Sequence, residues 1–127
     1  MRKDEILNMK AGRKIDALIA EHIMGWRRVI RWSGSDEISC LVHPTDGSYY
    51  PDEFQMWSKD INSAFEVVES LRENLGTCKF YTIIDPKKGD NIRAVFDPIL
   101  DDEHFEASAD TIPLAICRAA LLAVIDK

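Results

Sequence analysis

The sequence predicts a mixed α+β fold: a layered α-β-α sandwich with a small, mostly antiparallel sheet. Helix-like and strand-like patterns follow one another along the chain, short turn sequences join successive strands, and the chain ends in an almost wholly apolar helix. The 127 residues suit a single domain over 1–127, and 46% apolar with 30% charged residues is a globular composition.

The first helix is predicted over residues 11–23, where apolar side chains recur at three- and four-residue spacing before Gly25. Asp16 falls with the charged residues on the side opposite that stripe, so we expect it to face solvent. Residues 4–9 add a short preceding turn of helix.

Two strands are predicted next, over residues 27–32 and 37–42, around a turn at 33–36. Residues 43–57 are rich in turn formers and aromatics and predict a long loop.

The second long helix is capped by Ser58 or Asp60 and ends at Gly76. Its expected core stripe consists of Ile61, Ala64, Phe65, Val68, Leu71 and Leu75.

A second pair of strands is predicted over residues 78–85 and 91–97, joined by 86–90 as an antiparallel hairpin. An acidic loop follows, and the last helix begins near Thr111 with Pro113 in its first turn. The acidic loop comprises Asp101, Asp102, Glu103 and Glu106.

Charge narrows the partners that the chain can have. A net charge of -6 disfavours long nucleic acid and anionic membranes, which require a basic surface, but permits a small anionic ligand in a local basic pocket. The sequence has neither a signal peptide nor an apolar stretch of membrane-spanning length, so we expect a cytoplasmic protein.

No pattern of catalytic or metal-binding residues stands out. The three cysteines are widely spaced, without a Cys-x-x-Cys pair, which favours reduced thiols over disulfides or zinc. The acidic loop lacks the glycine and final glutamate of a calcium loop, and no Gly-rich phosphate loop or nucleophile motif occurs. The sequence therefore predicts no enzyme, no metal and no cofactor.

Arg118 is the one charged side chain in the apolar last helix, between Thr111 and Ile125. Burying an unpaired guanidinium is costly, so Arg118 needs a partner or access to solvent. One interpretation is an ion pair with a carboxylate of the acidic loop. The other is a clamp for a phosphate or carboxylate ligand, which suits the two-pronged geometry of arginine.

Residues 26–32 form the densest basic and aromatic segment of the chain. Trp26, Arg27 and Arg28 suit a nucleotide, with ring stacking for the base and positive charge for phosphates. The same pattern also describes an edge strand that arginines keep soluble and that core tryptophans anchor.

Residues of the second hairpin are further candidates for a nucleotide site. Phe80 and Tyr81 offer aromatic faces, while Asn91 and Arg93 offer hydrogen-bond donors. A residue such as Phe80 is more often in the core than a platform for a ligand, and Asn91 is more often a turn residue than a reader of a base.

Three segments carry a family resemblance: residues 11–26, ending in Met24-Gly25-Trp26, residues 57–69, and residues 111–121 around Cys117-Arg118. Together they resemble the phage ABA sandwich domain family, found in phages and prophages. The resemblance implies an α/β/α layered fold, a dimer or higher oligomer, and pockets near subunit interfaces.

The same family includes Thoeris anti-defence sponges, which are not enzymes. They bind and sequester cyclic ADP-ribose isomers made by bacterial TIR-domain proteins, and sometimes cyclic oligonucleotides. The resemblance thus implies a cyclic nucleotide as partner in the host cytoplasm, and an expected site of Arg118, Phe80, Asn91, Arg93, Trp26, Arg27 and Arg28. The alternative is a non-catalytic accessory or structural domain that acts through oligomerisation or protein contacts.

Overall fold

A computed structural model describes residues 2–45, 47–51, 57–76, 78–85, 91–98 and 103–125. Within these residues the helices are α1 (Lys3–Leu7), α2 (Arg13–His22), α3 (Ile61–Leu75) and α4 (Ile112–Ile125). Its strands are β1 (Arg27–Ser33), β2 (Asp36–Val42), β3 (Tyr49–Pro51), β4 (Cys78–Ile84), β5 (Ile92–Pro98) and β6 (Phe105–Ala109). The predicted mixed α+β class is confirmed.

The strands form two sheets rather than the single sheet that the sequence predicted. The first sheet has the order β1-β2-β3 and the second the order β4-β5-β6, and every pairing is antiparallel. Each sheet consists of strands that are consecutive in the chain. The strands of the first sheet precede α3, and those of the second sheet follow it.

Two strands lie where the sequence predicted loops. In the predicted loop 43–57, Tyr49–Pro51 pairs with β2, with Tyr50 opposite Leu41. In the predicted acidic loop, Phe105–Ala109 pairs with β5, because buried Ala107 and Ala109 alternate with exposed Glu106 and half-buried Ser108. The acidic residues concealed that alternation. Asp101 and Asp102 lie outside the described residues, as does the predicted connection 86–90.

Helix α4 lies at the centre of the molecule, packed against α1, α2, α3, β5 and β6. Every residue from Pro113 to Ala123 is buried within this single chain. The all-round apolar character of the helix is therefore accounted for by contacts inside one subunit.

Helix α3 is capped by Asp60, one of the two predicted capping residues, whose carboxylate accepts a hydrogen bond from the Ser63 backbone N–H at 2.9 Å. Gly76 ends it, with a positive φ of 78° that favours glycine. The predicted stripe was partly wrong: Ile61 and Phe65 are 42% and 47% exposed, and Val67 takes a core position instead. The buried face of α3 is Ala64, Val67, Val68 and Leu71.

Asp16 was predicted to face solvent, but it is 2% exposed. Its carboxylate accepts a hydrogen bond from the Ser58 backbone N–H at 2.8 Å, and the Ser58 hydroxyl accepts one from the Gly12 N–H at 3.0 Å. Asp16 lies inside because it joins α2 to the segment that leads into α3. Burial raises the pKa of Asp16, and the hydrogen bonds from Ser58 and the charge of Lys59 oppose that rise.

The thiols of Cys40, Cys78 and Cys117 are free. Burial raises the pKa of Cys117 well above its ordinary value, and the nearby charge of Asp16 adds to the rise. Among the described helices, none is long and apolar enough to cross a membrane.

Candidate functional site

Arg118 is buried in α4 and bonds to backbone carbonyls rather than to a carboxylate. Its Nε and Nη2 donate to the Met9 carbonyl at 3.0 and 2.8 Å, and its Nη1 donates to the Ser108 carbonyl at 2.7 Å. The predicted ion pair with the acidic loop is absent from the described residues. Arg118 instead joins the α1–α2 connection to the end of β6.

A cleft of about 450 Å³ opens beside Arg118. Three of the five guanidinium N–H groups are used by the two carbonyls, and no described residue accepts from the other two. The cleft places Lys10 and Asp110 on the same concave surface as Arg118. The full lining is Leu7, Asn8, Lys10, Ala11, Asp110, Leu114 and Arg118.

The chemistry of this cleft suits a small anion with polar groups. Arg118 and Lys10 are cationic, and Asn8 supplies an amide with both donors and an acceptor. Asp110 is the one acidic residue of the lining, so the local charge is positive in a chain of net charge -6. Arg118 was predicted as a site residue because it is the one charge in an apolar helix. Asn8 and Lys10 were not predicted, because they lie in the connection between two helices, where no such pattern exists.

The predicted basic and aromatic segment does not reach this cleft. Trp26 is 7% exposed, and its ring packs edge-on against His43 and Trp57, with ring centroids 4.9 and 5.9 Å away. Trp26 is therefore a core residue and not a platform for a base. The interpretation of Trp26 as a core anchor was the better one.

Arg27 lines a separate open pocket of about 590 Å³ with Gly25, Val42, His43, Pro44, Thr45 and Gly47. Arg28 lies in β1 opposite Leu41, and its side chain is outside the described part of the structure. Arg27, at the start of β1, therefore lines a different surface from Arg118.

The hairpin candidates divide between the two faces of the second sheet. Phe80 lies opposite Phe96 and packs against its ring at 5.0 Å, on the face that α4 covers. Arg93 lies opposite Ile83, on the other face, where its guanidinium is 3.8 Å from Glu106. Phe80 and Arg93 thus cannot contact one ligand from the same side of the sheet.

Tyr81 is the aromatic residue that shares the outer face with Arg93, and it is 45% exposed. Strand alternation was the available signal, since residues 81 and 83 fall on the face opposite Phe80. Asn91 precedes β5, and its carbonyl accepts a hydrogen bond from the Asp85 N–H at 2.7 Å. The expected residues are therefore spread over three surfaces of a single chain, at Arg118, at β1 and at the second sheet.

The order of elements around a central α4 invites comparison with known families. The sequence profile of the phage ABA sandwich domain matches residues 17–121, most of the chain. The chain belongs to the phage ABA sandwich domain family. This ABA sandwich domain includes both sheets and the whole of α3 within the matched range, and the match contains Arg118 but not the cleft residues Asn8 and Lys10.

A crystal structure of a phage protein from Bacillus cereus ATCC 14579 is similar in fold to this ABA sandwich domain. The TM-score is 0.66 at 24% sequence identity, over 92% of this chain and 95% of that chain. No curated protein matches the sequence. Within the described residues, no group of three or more acidic, histidine or cysteine side chains is arranged to hold a metal ion.

Proposed function

We propose that this phage protein binds a small cyclic nucleotide and holds it without degrading it. The proposed ligand is a cyclic ADP-ribose isomer made by TIR-domain proteins of the host, with cyclic oligonucleotides as a second ligand class. The single observation that carries the proposal is the Arg118 guanidinium, fixed by two backbone carbonyls and left without a carboxylate among the described residues.

Such a guanidinium is preorganised for an oxyanion. Its rotamer is already held by hydrogen bonds, so little side-chain entropy is lost when a phosphate accepts from its remaining N–H groups. Lys10, in the same lining, also attracts a negatively charged phosphate. Asp110 offers an acceptor for a ribose hydroxyl or an adenine amino group. The cleft volume of about 450 Å³ lies in the range of small-molecule sites.

Holding the ligand intact is the second half of the proposal. A protein that removes a signal from the host cytoplasm by binding needs affinity and abundance, and it needs no group that activates a nucleophile. The cations and the amide of the cleft suit binding, and we assign its one carboxylate, Asp110, to a hydrogen bond with the ligand rather than to the activation of a water. Sequestration is therefore the activity that this cleft supports best.

The test is calorimetric titration of the protein with cyclic ADP-ribose isomers, followed by heating of the complex and mass spectrometry of what is released. We expect saturable binding and recovery of the intact ligand. Lys10→Ala should weaken binding by about tenfold, since loss of one charge-assisted contact costs on the order of 1.4 kcal/mol.

Lys14→Ala is the matched control, because Lys14 is exposed on α2 and is not part of the cleft lining. It removes the same charge and should leave the dissociation constant unchanged. Absence of binding by the wild-type protein would overturn the proposal, and so would release of a cleaved nucleotide. Equal losses in the Lys10 and Lys14 variants would place the ligand outside the cleft.

A second candidate function is an accessory domain that acts through protein contacts. One observation favours it: Ile30 and Trp32 at the far end of the β1–β2 hairpin are 58% and 68% exposed. Large apolar side chains clustered at an exposed position mark interaction surfaces. This function predicts an assembly that forms without any nucleotide.

A further inference from the structure

Asp110 is the one carboxylate on the lining of the cleft beside Arg118. It lies between the end of β6 and the start of α4, a position from which aspartate commonly caps a helix. Here Thr111 is the capping residue instead, since its hydroxyl accepts a hydrogen bond from the Leu114 N–H at 3.4 Å. The Asp110 carboxylate therefore has no capping role, and it has no hydrogen bond to any residue that the structure describes.

The three charged side chains of the cleft are not paired with one another. Arg118 donates to the carbonyls of Met9 and Ser108. Within the described part of the chain, neither Arg118 nor Lys10 forms an ion pair with Asp110, although all three share one concave surface. Opposite charges that line one cleft without meeting leave space between them, and each remains available to a ligand.

The spacing between the cationic and the acidic side of the cleft is set by β6. The Arg118 Nη1 donates to the Ser108 carbonyl at 2.7 Å, and Asp110 follows two residues later, at most about 7 Å along the chain. In a nucleotide, one ribose separates the 5′-phosphate from the 2′- and 3′-hydroxyls, which is a span of similar size. A phosphate at Arg118 therefore brings ribose hydroxyls towards Asp110, and the opposite orientation would place a phosphate against a carboxylate.

We propose that Asp110 determines the specificity of the cleft: its carboxylate accepts a hydrogen bond from a ribose hydroxyl of the ligand and excludes nucleotides that carry a phosphate on that ribose. This role rests on the proposed function, since it concerns the ligand of the same cleft. It narrows the ligand class to nucleotides with free ribose hydroxyls, such as those made from NAD, and excludes their counterparts made from NADP.

The chemistry of the carboxylate gives this selectivity its direction. An ionised carboxylate only accepts hydrogen bonds, so it matches a hydroxyl donor and repels a phosphate. Dinucleotide-binding folds use an acidic residue in this way at the ribose of NAD, whereas an arginine there accommodates the 2′-phosphate of NADP. Arg118 cannot supply that arginine, because two backbone carbonyls fix its guanidinium and it cannot turn to a phosphate at Asp110.

The first experiment titrates the wild-type protein calorimetrically with the cyclic ADP-ribose isomer that it binds and with two derivatives of that isomer. Each derivative carries one additional phosphate, on one or the other ribose. We expect at least one derivative to bind about thirtyfold more weakly than the parent isomer, because its phosphate meets Asp110. Asp110→Asn should bring that derivative to within about threefold of the parent, since an amide carries no charge and can donate to a phosphate.

Glu103→Gln is the matched control, because Glu103 is exposed, precedes β6 and is not part of the cleft lining. It also removes one negative charge, and it should leave the ratio of the two dissociation constants as in the wild-type protein. Neither carboxylate has a hydrogen bond to a described residue, so both variants should keep the wild-type free energy of unfolding, which urea denaturation measures.

The second experiment repeats the wild-type titrations over a range of ionic strength from about 0.05 to about 1 M. Repulsion between Asp110 and the added phosphate is electrostatic, so salt screens it and the preference for the parent isomer should decrease. A cleft that excluded the derivative by size alone would keep the same preference at every ionic strength, which would contradict the proposed role.

Equal binding of the parent isomer and both derivatives by the wild-type protein would overturn the role of Asp110 alone. A preference that Asp110→Asn leaves unchanged would do the same, and so would equal effects of Asp110→Asn and Glu103→Gln. If the wild-type protein binds no isomer at all, the proposed function fails and this role fails with it. The titration with the parent isomer therefore separates the two failures.

Discussion

The Arg118 guanidinium links parts of the chain that are far apart in sequence, since it bonds to the carbonyls of Met9 and Ser108 from the middle of α4. A lysine could not do this, because one ammonium lacks the planar arrangement of N–H groups that bridges two acceptors. The residue therefore has a structural task whether or not a ligand also contacts it.

Arg118→Ala is expected to destabilise the protein by about 2–4 kcal/mol. The carbonyls of Met9 and Ser108 lose charge-assisted hydrogen bonds, and the Met9 carbonyl loses its donor in a buried position. Urea denaturation followed by circular dichroism measures the free energy of unfolding. The comparison is Arg93→Ala: its ion pair with Glu106 at 3.8 Å is half exposed, so its loss should change stability by roughly 0.5 kcal/mol or less. Equal effects of the two substitutions would contradict the structural role of Arg118.

The sequence singled out Arg118 correctly as a buried cation that needs a partner, since its apolar neighbours are visible in the chain. It could not identify the partner, because backbone carbonyls carry no sequence signal and Met9 lies 109 positions away. Phe80 and Trp26 illustrate the complementary limit. An aromatic ring suits a base or a core equally well, and only packing against Phe96 or Trp57 decides between them.

At the scale of elements, α2 and the entry to α3 are joined by the Asp16 carboxylate and Ser58. Helical periodicity located both helices, and the side chain of Asp60 identified the start of α3. The prediction for Asp16 was wrong because a charged residue in a helix is expected to face solvent. The carboxylate instead accepts a hydrogen bond from the Ser58 N–H, and this contact depends on how the two helices pack, which helical periodicity does not show. The short strands β3 and β6 escaped detection for a related reason, since their pairing partners define them more than their composition.

Asp16 makes stability depend on pH with a sign that can be tested. Burial raises the pKa of Asp16 in the folded protein above its ordinary value of 3.8, so the folded state binds the proton more tightly than the unfolded state. The resulting stabilisation is complete below the unfolded pKa and is lost as the pH rises through the raised folded pKa. Asp16→Asn keeps an acceptor for Ser58 and removes the titration.

We therefore expect the free energy of unfolding of Asp16→Asn, relative to wild type, to increase with pH across that window. Urea denaturation at a series of pH values measures it. Asp16→Ala serves as the contrast, because it leaves the Ser58 N–H without an acceptor and should cost about 1–3 kcal/mol. A constant difference between Asp16→Asn and wild type at every pH would show that the folded and unfolded pKa values are equal.

For the whole molecule, the two sheets differ in how they attach to α4. The second sheet packs directly on this helix through β5 and β6, whereas the first sheet contacts the body through α2 and the ring contacts of Trp26 with Trp57. The sequence predicted the helices and most strands, but it predicted one sheet where there are two. The pattern of a hairpin shows that its two strands pair with each other, and it does not show whether that hairpin pairs with a second one. That difference in attachment has a measurable consequence.

Regions with fewer buried contacts open more readily than the core, and their amides exchange hydrogen by local unfolding. We expect amides of residues 27–42 to exchange at lower urea concentrations than those of residues 92–98 and 112–125, which should exchange only with global unfolding. Native-state hydrogen exchange with mass spectrometry measures both. Equal protection of both sheets would mean that the molecule unfolds as one unit, despite the separate attachment of its first sheet.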